Sequence, residues 1–194
     1  MRKSPASETR VLAIDPTTKG FGFAVLEGPA RLVDWGVREM QGESRDRSMT
    51  QVADLINRYW PDVVVLEDHR DRSSRRCLRI RKLIRAIGRL AARKGVQVLS
   101  VSRAAIRRTF SECGARTKHQ IAAAVAKRLP ELTPRLPRPR KPWMSEDYRM
   151  AIFDAVALAL TFFDSSRRRT EQRKGRATVP MTHAESQKAK NPGH

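Results

Sequence analysis

The apolar residues of this chain fall into two kinds of pattern, unbroken runs and helical spacings. Val11 to Ile14 form an unbroken run, the pattern of a strand buried on both faces, and the run ends in a carboxylate, Asp15. Pro16 is expected to stop ladder pairing there, and Thr17 to Gly20 read as a turn. A second strand follows over 21–27, in which Gly22 allows a special backbone angle or a close approach. After a turn at Gly28-Pro29, Leu32, Val33, Trp35 and Val37 mark a third strand over 31–39. Met49, Val52, Leu55, Ile56 and Tyr59 recur at helical spacing and predict an amphipathic helix over 48–59. Beyond Pro61, Val63 to Leu66 form a second unbroken run, and it too ends in an acid, Glu67.

The rest of the chain alternates. Ile80, Leu83, Ile84, Ile87 and Ala91 give one face of a helix over 75–94, with Gly95 as its C-terminal stop. A fifth strand carries Val96, Val98, Leu99 and Val101, followed by helices over 103–110 and 118–129. Residues 130–143 are rich in Pro and Arg and predict an extended loop. Ser145 can N-cap a strongly apolar helix from Glu146 to about Phe163. The domain boundaries follow: a disordered start over 1–9, one domain over 10–163, and a basic disordered tail over 164–194. Three strands in a meander, then strands alternating with helices, predict an α/β fold. Its core is a mixed five-stranded sheet with helices on both faces.

Charge narrows the partner. The 194 residues carry a formal net charge of +20, which draws polyanions, nucleic acid first. No stretch of roughly 18 apolar residues exists, so no membrane span is expected. The polar N-terminus predicts no secretory signal. Cys77 and Cys113 lie far apart without metal-ligand spacing, which predicts reduced thiols and a cytoplasmic protein.

The chemistry rests on carboxylates. If the two acid-tipped strands are neighbours, Asp15 and Glu67 share one edge of the sheet, where α/β proteins place their ligands. A third acid, Asp154, interrupts the apolar run from Ala151 to Leu158. A buried acid needs a partner, and an arginine would serve. Three acids brought together repel, by about 4 kcal/mol for a pair roughly 4 Å apart near a surface. A hard divalent cation removes that cost. Oxygen ligands without His or Cys select Mg²⁺ or Mn²⁺. A pair of such ions supports phosphodiester cleavage. With the basic charge, this points to a metal-dependent nuclease.

These residues also resemble a known family. The segment Asp15-Pro16-Thr17-Thr18-Lys19-Gly20-Phe21-Gly22 resembles the first motif of the RuvC-type branch of the RNase H-like superfamily, and Val63 to Glu67 the second. Residues 102–129, with Lys118-His119-Gln120, resemble its basic helix, Gly-containing loop and Lys-x-Gln helix, and Phe153 to Leu158 its last motif. The motifs keep the family's order over roughly residues 10–163. The resemblance implies an RNase H-like fold and metal ligands at Asp15, Glu67 and Asp154. It implies a phosphate-contacting, catalytic role for Lys118. It further implies an endonuclease on branched or structured DNA, Holliday junction resolvase-like, using Mg²⁺ or Mn²⁺, with two ions expected.

Lys19, Arg75, Arg79, Lys82, Arg103, Arg107 and Lys118 are the candidate nucleic-acid contacts. DNA is favoured over RNA, and a homodimer is left open. A YqgF-like nuclease on RNA is the alternative enzyme. A basic binding protein of the same fold without activity is the alternative from another class. Three departures from the family pattern stand out. Ala151 occupies the position where the family often has a further acid or His, with Asp147 as a substitute one heptad before Asp154. His69-Arg70 stands where junction resolvases carry an aromatic, and 130–143 is an insertion.

Overall fold

The computed structural model describes residues 9–39, 45–71, 76–141 and 143–177. Its sheet contains β1 (Arg10–Thr17), β2 (Gly20–Glu27), β3 (Arg31–Glu39), β4 (Val63–Glu67) and β5 (Gln97–Val101). The helices are α1 (Arg45–Tyr59), α2 (Leu78–Arg93), α3 (Arg103–Ser111), α4 (Lys118–Arg128) and α5 (Met150–Ala177). A 3-10 turn spans Pro130–Arg135, inside the segment expected to be extended. The strand order is β3-β2-β1-β4-β5. The first three strands pair antiparallel, and β4 and β5 add in parallel. The mixed five-stranded sheet expected from the apolar pattern is therefore present.

The unbroken apolar runs have a two-sided explanation. Leu12, Ile14, Val64 and Leu66 face a core closed by α1 and α2. Val11, Ala13, Val63 and Val65 face the opposite core with α3, α4 and α5. Helix α5 lies against β1 and β2 at very short range. A Cβ added at Gly22 would sit 2.1 Å from the carbonyl oxygen of Ala151. Gly22 thus serves close approach, and this fixes how α5 presents its first turns to the end of β1.

Three local expectations are corrected. Pro16 stays within β1, paired with Phe21. The parallel ladder to β4 already ends at Ile14, so the missing N–H breaks nothing on that side. Helix α5 begins at Met150 rather than Glu146. The Asp147 side chain accepts from the backbone N–H of Arg149 at 2.9 Å, and its carbonyl accepts from that of Met150 at 3.0 Å. This side-chain turn competes with helix and delays its start. At the other end α5 runs on through residues 165–177, expected to be tail. Arg, Glu and Gln are good helix formers, and Asp164 pairs with Arg168 one turn on. Residues 1–8 and 178–194, expected to be disordered, lie outside the described residues.

Candidate catalytic site at the ends of β1 and β4

Parallel pairing of β1 and β4 puts Ile14 beside Leu66, so the next residues, Asp15 and Glu67, stand side by side. Both are buried. One guanidinium serves both. Arg76, just ahead of α2, sets Nη2 against Asp15 Oδ1 and 2.8 Å from Glu67 Oε2. Its Nη1 donates to the carbonyl of Pro16 at 3.0 Å. From the other side Arg103 Nε donates to Glu67 Oε1 at 3.0 Å. Arg103 opens α3, whose N-terminus is fixed by Ser102 accepting from the N–H of Ala105.

The third acid comes from α5. Asp154 Oδ2 is 2.8 Å from Lys118 Nζ, which also lies 2.7 Å from Glu146 Oε1. Lys118 opens α4, and a reciprocal capping box between Thr117 and Gln120 holds that helix start in place.

The acids share one field. Burial pushes the Asp15 carboxyl up to about 7, and the Asp154 charge adds to this, with Arg76 opposing and Glu67 adding further. Burial also works to raise Glu67, but Arg76 and Arg103 together hold it below the usual range. Asp154 is raised by burial against the pull of Lys118. Burial would lower Lys118, yet Asp154 and Glu146 outweigh it and raise it.

Does this site suit a divalent cation? Among the described residues, no three His, Cys, Asp or Glu side chains stand close enough to hold one ion together. The acids are instead bridged by Arg76 and Lys118. However, Asp15 Oδ2 is buried without a hydrogen-bond partner. A buried carboxylate oxygen left so, beside two further acids, is a demand for positive charge. The donor set is all oxygen, which matches Mg²⁺ or Mn²⁺. The donor chemistry suits such an ion, but the three acids do not converge on one point, and Arg76 and Lys118 supply the positive charge among them.

The other sequence candidates divide by position. Lys19 is exposed at the β1–β2 turn, on the same sheet edge as Asp15. Lys82 and Arg79 are exposed on α2, and Arg107 is exposed on α3. Arg75 lies outside the described residues. Arg103 and Lys118 face the acids themselves. Sequence reading missed Arg76, Glu146 and the pairing of Arg103. The available signal was the expectation that a buried acid takes an arginine. It was attached to Asp154, which takes Lys118, whereas the arginines went to Asp15 and Glu67. In the loop after Glu67, His69 is turned inward, and its Nε2 accepts from Arg85 Nε at 3.0 Å. Asp147 pairs with Arg149 at 2.6 Å.

The arrangement is a mixed five-stranded sheet with acids at the ends of the apolar runs in β1 and β4 and a third acid on the helix packed across them. No family model and no curated protein matches the chain. Similar solved structures include RuvC of Thermus thermophilus, with a TM-score of 0.61 and 21% identity over 82% of this chain and 97% of that one. The same protein in complex with Holliday junction substrate gives 0.60 and 20% over 82% and 96%. The yeast mitochondrial Holliday junction resolvase Ydc2 gives 0.61 and 16% over 89% and 85%. At such identities the likeness is one of fold.

Proposed function

We propose that the protein is a divalent-metal-dependent endonuclease acting on branched DNA, with four-way junctions as its substrate. The observation that carries this is the orphaned oxygen of Asp15 beside Glu67 and Asp154, at the sheet end of a strongly basic protein. Solved structures of like fold include a Holliday junction resolvase and a RuvC in complex with Holliday junction substrate, which supports the choice of substrate. Asp15, Glu67 and Asp154 would hold Mg²⁺ or Mn²⁺, with two ions expected. The ion, when bound, activates a water and neutralises charge on the cleaved phosphate. Lys118 leaves Asp154 for a phosphate oxygen, with Glu146 limiting how far it moves. Arg103 keeps Glu67 ionised, and Arg76 yields its place between Asp15 and Glu67. Lys19, Arg79, Lys82 and Arg107 take backbone phosphates and orient the strand without reading sequence. The protein would act in the cytoplasm with the cell's DNA, and a homodimer would match the two-fold form of a junction.

The ion pairs over the acids favour a second reading, a basic DNA-binding protein whose site stays closed. Cleavage of a panel of four-way junction, flap, duplex DNA and duplex RNA with Mg²⁺ or Mn²⁺ separates the two. The nuclease cuts the junction and the Asp15→Asn variant binds it without cutting. No cleavage of any substrate with either metal supports the binding protein.

A further inference from the structure

Beside the Lys118–Asp154 pair lies a groove of about 840 Å³, between the start of α4 and the segment leading into α5. Arg138, Arg140, Arg149, Lys118 and Met144 line it together with two acids, Glu146 and Asp147. The insertion is tied down on both sides. His119 Nε2 lies 2.9 Å from the carbonyl oxygen of Pro137. Arg140 Nη1 donates to the carbonyl of Met144 at 2.9 Å, and the Met144 N–H donates to the carbonyl of Lys141 at 3.0 Å. Trp143 is 78% exposed, next to Met144 in the groove. Lys141 Nζ lies 5.4 Å from the centre of its ring. Tyr148 is exposed within the same segment.

Single exposed apolar residues need no explanation, but a cluster rimmed by cations does. Among the described residues, Trp143, Met144 and Tyr148 are half of the large apolar side chains left exposed. The other exposed tryptophan, Trp60, precedes β4 and so sits at the sheet edge opposite Glu67. A base presents a flat π face of the right polarity for Trp, and arginines take the backbone on either side of it. Lys118 and Arg149 are paired with Glu146 and Asp147 of the groove itself, so Arg138 and Arg140, with Lys141 beside Trp143, are the charge that a nucleic-acid strand complements and an apolar protein partner would not. Inside a duplex a base face is covered by its neighbours, so the occupant has an unpaired nucleotide.

We infer that Trp143, with Arg138 and Arg140 beside it, is a stacking platform for an unpaired DNA nucleotide next to the strand entering the site. This rests on the branched-DNA reading and deepens it.

The test is binding by fluorescence anisotropy, without divalent metal, of the full chain to a gapped duplex and to an uninterrupted duplex of equal length. Trp143→Ala weakens binding of the gapped DNA about 5- to 150-fold, leaves the uninterrupted duplex unchanged, and keeps the salt slope, since no charge is lost. Trp143→Phe retains most of the affinity. Arg138→Gln lowers the salt slope by about one phosphate contact on both DNAs. Equal loss on both DNAs in Trp143→Ala, or no loss on either, overturns the platform. The measurement involves no cleavage, so it stands or falls separately from the nuclease reading.

Discussion

The two halves of the acid cluster neutralise their carboxylates in opposite ways. Asp15 and Glu67 sit on neighbouring strands of a sheet covered on both faces, and they share the guanidinium of Arg76. Asp154 sits on a helix, its side chain 25% exposed, and its counter-ion Lys118 is itself 41% exposed and shared with Glu146. The strand half is rigid and dry, so a charge change there is felt in full. The helix half is wetter and has a second acid ready for Lys118. On the proposed nuclease reading the two halves would take different roles: the strand half would set where a cation binds, and the helix half would adjust as a phosphate arrives.

Mutations should fall unequally on the two halves. The largest effect is on chemistry. Asp15→Asn lowers single-turnover junction cleavage by on the order of 10³-fold, a loss at the upper end of that for removing one electrostatic group from an active site. Its gel shift is kept, because affinity comes from phosphate contacts. An Asp15→Asn variant cutting at the wild-type rate would break the assignment.

Next comes stability without metal. Arg76→Gln leaves two buried acids short of a partner and costs about 3–5 kcal/mol by urea unfolding. Mg²⁺ recovers part of this loss. Lys118→Gln, in a partly exposed pair, costs at most about 1 kcal/mol. Equal losses would remove the distinction between the halves.

The pH dependence sharpens it further. Burial pushes the Asp15 carboxyl up from 3.8 to about 7, so the folded state binds this proton more tightly. Its contribution to stability is full below about pH 4 and is lost as pH rises towards 7. Urea titrations across that window should show a slope in the wild type that is reduced in Asp15→Asn.

A further effect concerns the seam between the halves. Gly22→Ala drives a methyl into the backbone of α5 at Ala151 and costs about 1–3 kcal/mol, enough to shift the position of Asp154. The cleavage rate should fall more than the melting temperature alone explains.

How much of this the sequence revealed follows from where each signal is local. The strands were legible because Val11–Ile14 and Val63–Leu66 are unbroken apolar runs. Asp15 and Glu67 stood out as candidates because each ends such a run, and Asp154 because it interrupts one. Arg76 was not, since it lies in an arginine-rich stretch and meets Asp15 from 61 residues away. The start of α5 was missed because the side chain of Asp147 makes a turn that competes with the Ser145 cap. Its extension to Ala177 was missed because a polar helix, held by its own ion pairs, lacks the apolar stripe by which helices are found. Ala151, read as a missing acid, is small because α5 must approach β2 at Gly22.

The most direct test is calorimetric titration of Mn²⁺ into the wild type, Asp15→Asn and Arg76→Gln at pH 7.5, a pH above the point where Asp15 titrates. If Arg76 keeps the place of a divalent ion, the wild type binds Mn²⁺ and Arg76→Gln binds it on the order of tenfold more tightly. Asp15→Asn loses the site. Equal affinity in all three proteins, or no binding even in Arg76→Gln, would contradict a divalent cation site at these acids.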